Sequence, residues 1–359
     1  MRRALALTRR GLGRSSPNPA VGAVVVRDGR IIARGWHERY GGPHGEAAAL
    51  AAAGEAARGA DLYVTLEPCN HQGRTPPCTR AILASGVARV AFGASDPNPL
   101  VDGGGGAFLA AHGLTVVGGV LGRECAHEHR FFFTHITQGR PHVLLKTAAT
   151  LDGKTATARG DSRWITGPAA RRQVHRLRAW LDAICVGAGT VVADDPELTC
   201  RLPGRRNPLR VVVDHRLATP PTARVLDPTA PGGCLLACGQ DPDPARARAL
   251  ERAGAELLPL PPGPDGRLDL HALVAELGRR RLTSLLLEGG AGLAWSFLAA
   301  GLVDEIMYFF APKLLGGRTA HPMLGGEGAP LMSQALDLEP PLIRRYGPDL
   351  MLWTRPRRG

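Results

Sequence analysis

Apolar segments of strand length alternate with helix-forming segments along nearly the whole chain, and this alternation restricts the fold more than any other feature. Residues 20–37 predict a β-hairpin that turns at Asp28-Gly29, and residues 45–57 (GEAAALAAAGEAA) predict a helix. Strand, helix, strand, helix and strand follow over residues 60–120. This order predicts a three-layer α/β domain.

A second alternation fills the rest of the chain and predicts a second domain. The turn-forming residues 138–141 (QGRP) separate a helix from a new strand, so we expect domains of residues 1–139 and 140–359. A helix is expected over residues 167–183 behind a Thr166 cap. Strands are expected at residues 142–150, 183–189, 209–214, 234–238, 255–260, 284–290 and 304–314. The second domain should therefore contain a mostly parallel α/β sheet.

The location of the protein and the state of its cysteines are constrained by what the sequence lacks. No run approaches eighteen apolar residues and the N-terminus lacks a credible cleavage site, so we expect a cytoplasmic protein with no membrane partner. Seven cysteines, an odd number, are scattered over the chain, which argues against a disulfide framework. Metal ligands or core thiols are the better interpretations.

A net charge of +12 raises the question of a nucleic-acid partner. The charge is spread: residues 1–139 hold 15 basic and 10 acidic residues, and residues 140–359 hold 29 and 22. We therefore expect a small phosphorylated ligand rather than nucleic acid.

One histidine and two cysteines form a candidate metal site. Residues two apart on a regular helix point about 200° away from each other, so they can share one site only at the start of a helix. His44 and Glu46 stand at such a predicted start. With Cys69 and Cys78, His44 makes a three-ligand set that suits zinc and leaves a fourth position for water. Glu46 would then transfer protons. The alternatives are that Cys69 and Cys78 are buried thiols, that His44 is a surface residue, and that His71 is a further ligand candidate. The His-x-Glu pair together with the two cysteines nevertheless matches the zinc nucleobase deaminase signature.

A glycine-rich segment marks a second candidate site. Residues 288–292 (EGGAG) follow a predicted strand and open a helix, so their backbone N–H groups could cradle a phosphate, or the segment could be an ordinary turn. The pattern is not Gly-x-Gly-x-x-Gly, and a Rossmann site is not indicated.

Several motifs resemble one family, the bifunctional riboflavin-biosynthesis deaminase/reductases. SPNPAVG, PHGE, TLEPCNHQGRTPPC and DPNP resemble the deaminase half, and LKTAATLDGKTAT, GDSRWIT and LLLEGGAGLAWSFL resemble the reductase half. The spacing between Cys69 and Cys78 is typical of this family, whereas cytidine-type deaminases use Cys-x-x-Cys. Gly45 stands where the family usually has alanine, and we expect it to loosen the helix entrance.

The resemblance implies a cytidine-deaminase-like domain followed by a dihydrofolate-reductase-like α/β domain. It implies zinc-dependent deamination of 2,5-diamino-6-(ribosylamino)-4(3H)-pyrimidinone 5'-phosphate, then NADPH-dependent reduction of the ribosyl group to give 5-amino-6-(5-phosphoribitylamino)uracil. Zinc would be held by His44, Cys69 and Cys78, with Glu46 as the catalytic residue. A homo-oligomer is also expected.

The resemblance also assigns contacts in the reductase half. NADPH would contact Ala148, Trp164, Thr190, Asp194, Gly290, Ala291, Gly292, Leu293, Ala294, Trp295 and Ser296. The substrate would contact Ser162, Arg178, Leu198, Arg201 and Glu288. Guanidinium groups match phosphate oxygens, which favours Arg178 and Arg201 as phosphate partners. Arg178 could also be a solvated helix arginine and Trp164 a core aromatic, and the sequence names no proton donor.

Two other functions compete with this interpretation. A tRNA or other nucleic-acid deaminase would share the zinc site, but it would carry Cys-x-x-Cys and leave the second domain unexplained. A non-catalytic nucleic-acid-binding protein would account for the charge, but not for a ligand set beside Glu46.

Overall fold

The structure is a computed structural model that describes residues 1–73, 76–98 and 104–357. The chain divides into two compact units, one of Met1–Arg140 with Gly278–Thr283 and one of Pro141–Leu277 with Ser284–Gly359. Parts of the quoted motifs lie outside the described residues, namely Arg74 and Thr75 of the cysteine motif and Pro99 of DPNP.

A five-stranded sheet organises the first unit, in the order β2-β1-β3-β4-β5. Its strands are β1 (Gly22–Arg27), β2 (Arg30–Trp36), β3 (Asp61–Leu66), β4 (Arg89–Ala94) and β5 (Thr115–Val117). β1 pairs antiparallel with β2 and β3, whereas β3, β4 and β5 run parallel. The predicted hairpin is confirmed, and Asp28 and Gly29 both have positive φ, as its tight turn requires.

Helices pack on this sheet and complete the predicted α/β domain. They are α1 (Arg2–Gly11), α2 (Gly45–Ala53), α3 (Cys78–Ser85), α4 (Gly105–Ala111), α5 (Gly122–Glu128) and α6 (Arg130–Gln138). The predicted helix over residues 45–57 is α-helical to Ala53 and continues as a 3₁₀ turn to Ala57. Fully buried side chains from strands and helices, such as Leu62, Ile82 and Leu109, form one core.

Two glycines allow the first turn of α2 to lie very close to the sheet. A Cβ added to Gly35 of β2 would overlap the backbone of Gly45 and Ala49, and a Cβ added to Gly45 would lie 2.7 Å from the Val21 carbonyl oxygen. A side chain larger than hydrogen fits such a contact only if the backbone shifts. Gly45 therefore packs the helix entrance against the sheet and does not loosen it, contrary to the expectation from the sequence.

A nine-stranded sheet organises the second unit, in the order β11-β10-β9-β8-β12-β6-β13-β16-β15. All strands of this unit are β6 (His142–Thr150), β7 (Lys154–Ala156), β8 (Ala183–Gly187), β9 (Leu209–Val213), β10 (Cys234–Gly239), β11 (Ala255–Leu260), β12 (Ser284–Glu288), β13 (Glu305–Ala311), β14 (His321–Pro322), β15 (Leu342–Tyr346) and β16 (Asp349–Thr354). In the order of the sheet, the neighbouring strands β11, β10, β9, β8, β12, β6 and β13 pair in parallel. This confirms the mostly parallel sheet. The antiparallel pair β15 and β16 was not predicted, and β7 pairs with β14 in a separate two-stranded sheet.

The helices of the second unit are α7 (Pro168–Trp180), α8 (Ala188–Asp194), α9 (Pro244–Arg252), α10 (Leu270–Arg279, whose last residues belong to the first unit) and α11 (Ala291–Ala299). The predicted Thr166 cap of α7 is wrong. Gly167 is the N-cap residue, without a side-chain cap, because Pro168 sets the first helical position and the Gly167 N–H donates to Asp349 Oδ2 at 2.7 Å.

The central strands of the second sheet are buried along nearly their whole length. Leu144 and Leu145 of β6, Ile184 of β8 and Leu286 of β12 are fully buried. Continuous burial of this kind is typical of parallel sheets, whose two faces are both covered. Over the described residues, no helix has the length and apolar character needed to span a membrane.

Candidate active sites

Three separate elements bring the predicted zinc ligands together in the first unit. His44 is the N-cap residue of α2, Cys69 follows β3, and Cys78 is the first residue of α3. His44 Nδ1 lies 3.6 Å from Cys69 Sγ and 3.3 Å from Cys78 Sγ. Tetrahedral zinc with its usual bond lengths needs N···S separations of about 3.5 Å. The three donor atoms lie within 4.8 Å of one another and fit a zinc ion.

The charge of the site also suits a metal cation. The Cys78 backbone N–H donates to Cys69 Sγ at 3.4 Å, at the N-terminus of α3. Hydrogen bonds from Cys78 and from His44 lower the pKa of the Cys69 thiol, although burial acts in the opposite direction. A thiolate is the form of cysteine that binds metal, so this shift favours metal binding by Cys69.

Glu46 lies in the first turn of α2, beside the ligands but not among them. Its side chain is buried, and burial raises the pKa of the Glu46 carboxyl to about 7. Its Oε2 atom has no hydrogen-bond partner among the described residues. Buried polar atoms are rarely left unpaired, and a water at the fourth zinc position would supply the missing partner. A carboxyl with a pKa near neutrality can both accept and release a proton.

His37 supports the metal ligand and was missed in the sequence analysis. It is almost fully buried, its Nδ1 lies 2.9 Å from the Pro43 carbonyl oxygen, and its ring centroid lies 5.1 Å from that of His44. These contacts hold Pro43 and His44 at the helix entrance. No spacing pattern in the sequence singles out His37.

A cavity of about 180 Å³ adjoins the site in the first unit, and it explains motifs whose roles the sequence left open. Asn18 of the SPNPAVG motif, and Asp96 and Asn98 of the DPNP motif, line it. His71 also lines the cavity but does not belong to the group of three donor atoms, so the alternative in which it is a ligand is not supported.

A second cavity, of about 600 Å³, lies in the second unit and collects most of the predicted reductase contacts. The predicted residues that line it are Ala148, Ser162, Arg178, Thr190, Asp194, Leu198, Glu288, Gly290, Ala291, Gly292 and Leu293. The predicted residues outside this lining are Trp164, Arg201, Ala294, Trp295 and Ser296.

The glycine-rich segment opens α11 at the wall of this cavity. Gly290 is the N-cap residue, without a side-chain cap, and Gly289 and Gly290 have φ of 75° and 78°. A Cβ added to Gly290 would lie 3.3 Å from Thr190 Oγ1. The uncapped N–H groups at the start of this helix form a cradle that fits a phosphate group of NADPH.

A buried charge cluster lies at the end of β12. Glu288 pairs in register with Lys146 of β6, whose Nζ is 3.9 Å from Glu288 Oε2. Arg178 donates from Nε to Glu288 Oε1 at 3.0 Å and from Nη2 to Oε2 at 2.9 Å. Burial alone would raise the pKa of Glu288, but Arg178 and Lys146 outweigh it and lower the pKa to about 2. With all three groups charged, the cluster carries one net positive charge.

This cluster changes the interpretation of two basic residues. Arg178 is not a solvated helix arginine, because it is paired with Glu288 and also donates from Nη1 to the Thr199 carbonyl oxygen at 3.0 Å. Its role as a phosphate partner stays a prediction. Lys146 lines the cavity but was not assigned from the sequence, although it is one of only three lysines in the chain.

Trp164 is not a core aromatic, since its side chain is 60% exposed. The Arg171 guanidinium lies 4.4 Å from the ring centroid, and Lys313 Nζ donates to the Trp164 carbonyl oxygen at 2.7 Å. The ring is therefore held on one side by a cation–π contact.

Two family models match this chain. Residues 1–94 match the cytidine and deoxycytidylate deaminase zinc-binding region, and residues 141–352 match the RibD C-terminal domain. The riboflavin biosynthesis protein RibD of Bacillus amyloliquefaciens is 43% identical over 361 residues, which cover 100% of this chain and 96% of the relative.

Solved structures give the same result. RibD of Acinetobacter baumannii is similar with a TM-score of 0.86 and 36% identity, over 99% of this chain and 98% of that one. A diaminohydroxyphosphoribosylaminopyrimidine deaminase/5-amino-6-(5-phosphoribosylamino)uracil reductase of Thermotoga maritima is similar with a TM-score of 0.83 and 37% identity, over 99% and 97%. The predicted cytidine-deaminase-like and dihydrofolate-reductase-like domains are thereby confirmed. The chain belongs to the RibD family of bifunctional deaminase/reductases of riboflavin biosynthesis.

Proposed function

We propose that the two cavities catalyse successive reactions on one small phosphorylated pyrimidine. The first converts 2,5-diamino-6-(ribosylamino)-4(3H)-pyrimidinone 5'-phosphate to its deaminated product, and the second reduces the ribosyl group of that product to ribityl. The observation that carries the proposal is the buried Glu46 carboxyl beside a zinc donor set, in a chain whose second unit holds a glycine-rich helix N-terminus.

In the deaminase site, the residues of this chain bind the metal and move a proton. When bound by His44, Cys69 and Cys78, zinc supplies Lewis-acid activation of water near neutral pH. The Glu46 carboxylate accepts a proton from the attacking water and delivers a proton to the leaving amino nitrogen. A carbon–oxygen bond forms, the carbon–nitrogen bond breaks, and ammonia leaves.

In the reductase site, the chain must orient two ligands and supply a proton. The N–H groups at the start of α11 would hold a phosphate of NADPH, and the bound cofactor would supply the hydride that reduces the ribosyl carbon attached to nitrogen. The bond from that carbon to the ring oxygen breaks, and the oxygen must gain a proton. Lys146 is the donor that we assign, because its ammonium group lines the cavity and burial lowers its pKa. Arg201 is assigned to the substrate phosphate.

Two substitutions test the proposal independently. Glu46→Gln should retain zinc and lose ammonia release, because an amide cannot carry the proton; retained deamination would refute the role of Glu46. Arg201→Ala should raise the reductase KM for the phosphorylated substrate and leave deamination unchanged. An unchanged KM would refute the phosphate contact.

We also propose that the protein is a cytoplasmic homo-oligomer that binds no nucleic acid. Light scattering of the purified protein tests whether it is a homo-oligomer, and a monomer would contradict the proposal. A titration with nucleic acid at two salt concentrations tests the absence of nucleic-acid binding, since tight, steeply salt-dependent binding would contradict it.

A further inference from the structure

The loop between α8 and β9 carries two of the predicted substrate residues, Leu198 and Arg201. Contacts from neighbouring elements are needed to hold this loop in its conformation. Leu198 is almost fully buried against the cavity with a positive φ of 55°. A branched non-glycine residue in this region is strained, so neighbouring structure must hold the loop in place.

Helix α7 supplies three bonds to the loop. Arg178 Nη1 donates to the Thr199 carbonyl oxygen at 3.0 Å, and the Cys200 thiol donates to the His175 carbonyl oxygen at 3.3 Å. The third bond runs from the Arg201 backbone N–H to His175 Nδ1, at 3.3 Å. Only this bond uses the side chain of His175, and it is the one that reaches Arg201.

The bond requires a neutral His175 that carries its proton on Nε2, because Nδ1 accepts. The charged groups around the imidazole favour this form: Arg178 on the same helix, Arg201 on the loop and Lys146 of β6 are positive, and Glu288 of β12 is the single negative group among them. Burial lowers the pKa of His175, and the three cations lower it further.

Among the described residues, the contact recorded for the Arg201 side chain is not a buried one. The side chain is 56% exposed, and its Nη2 lies 3.2 Å from Glu197 Oε2, in an ion pair near the surface. Such pairs contribute little to holding a side chain in one place. The position of the Arg201 guanidinium therefore depends on where its backbone is held.

We propose that His175 is a positioning residue for the reductase substrate, whose Nδ1 fixes the Arg201 backbone so that the guanidinium meets the substrate phosphate. The inference rests on the proposed phosphate contact of Arg201. His175 touches neither the hydride donor nor the reacting carbon, so it acts on substrate binding and not on the chemical step.

The test compares His175→Leu with His175→Asn, by NADPH oxidation with the deaminated phosphorylated intermediate as substrate. The leucine variant should raise KM about 5-fold, the effect of losing one neutral hydrogen bond, with kcat nearly unchanged. Asparagine, whose Oδ1 takes the position of the histidine Nδ1 and can accept from the Arg201 N–H, should restore KM to within about twofold. Arg176→Gln, on the exposed face of α7, is the matched control and should leave both constants unchanged.

A leucine variant with wild-type KM, or an asparagine variant as impaired as leucine, would overturn the inference. If Arg201→Ala also leaves KM unchanged, the phosphate contact fails too; if Arg201→Ala raises KM, only the role of His175 fails. Thermal unfolding and ammonia release of each variant report on its folding. Should the leucine variant not fold, His175→Ala replaces it, because alanine also removes the acceptor and is favoured within a helix.

Discussion

Replacing Gly45 by alanine tests whether the entrance of α2 sets the geometry of the zinc site. The added Cβ would lie 2.7 Å from the Val21 carbonyl oxygen, and 3.1 Å and 3.3 Å from two carbon atoms of Val21. An ordinary contact needs about 3.4 Å or more, so α2 must move away from Val21, the residue before β1, by roughly 0.5 Å while Val21 yields the remainder. Because His44 and Glu46 flank Gly45, both would move with the helix, whereas Cys69 and Cys78 lie on other elements.

Two opposing energies determine the stability of this variant. Overpacking a close contact costs about 1–3 kcal/mol, while replacing glycine by alanine within a helix gains about 1 kcal/mol. We therefore expect a net loss of about 0–2 kcal/mol in the free energy of unfolding. Misplacing a catalytic group by 1 Å can cost about 100-fold in rate, so a shift of half that size should lower the kcat of ammonia release about tenfold.

The assay measures ammonia release, NADPH oxidation and thermal unfolding of Gly45→Ala on one preparation. NADPH oxidation with the deaminated intermediate should not change. Gly189→Ala in α8 is the stability control, because its added Cβ would meet no atom within 4 Å, and only the helix gain should be seen. Wild-type ammonia release together with increased stability of Gly45→Ala would refute the proposed close contact.

Three further predictions test separate parts of the structure. Cys78→Ser should lower the zinc content measured by elemental analysis, since serine does not replace a thiolate ligand, and an unchanged content would remove Cys78 from the site. Lys146→Met should lower the reductase kcat at least about 100-fold, the lower limit for losing a general acid, and leave ammonia release intact; a normal kcat would exclude Lys146 as the proton donor. Burial lowers the pKa of His129 to about 4, so the unfolded chain, with a histidine pKa near 6.5, binds the proton first. The free energy of unfolding should fall by about 3 kcal/mol as the pH drops from about 6.5 to 4. His129→Gln should reduce this pH dependence in denaturant titrations, and an identical pH dependence would contradict the prediction.

Elements and ligands that depend on local sequence could be predicted from the sequence. The hairpin at Asp28-Gly29 and the helix that starts beside His44 follow from short patterns, and so do most strands of both sheets. The zinc donor set was predicted because each ligand stands in a compact motif. The cap prediction at Thr166 was wrong because the Gly167 N–H donates to Asp349, which lies 182 residues further along the chain. This contact selects Gly167 as the N-cap residue.

Contacts between distant residues could not be predicted in this way. Glu288 and Arg178 are 110 positions apart, and only the pairing of β12 with β6 brings Lys146 to the same carboxylate. The bond between His175 and Arg201 depends on the strained loop conformation at Leu198, which no sequence pattern specifies. The β15–β16 pair was missed because β15 lies at the sheet edge and is largely exposed, so its strand carries no buried apolar pattern.

The most direct test of the account is the stoichiometry of the two reactions in one preparation of the zinc-loaded protein. With the diaminopyrimidine ribosyl phosphate and NADPH, the wild-type chain should release ammonia first and then oxidise NADPH, finally in a ratio of one to one. Without NADPH it should release ammonia alone. Glu46→Gln should release no ammonia under any of these conditions, and it should oxidise NADPH only after the deaminated intermediate is added. Oxidation of NADPH by Glu46→Gln without that intermediate, or ammonia release by wild type with no later oxidation, would contradict the proposed sequence of two reactions on one chain.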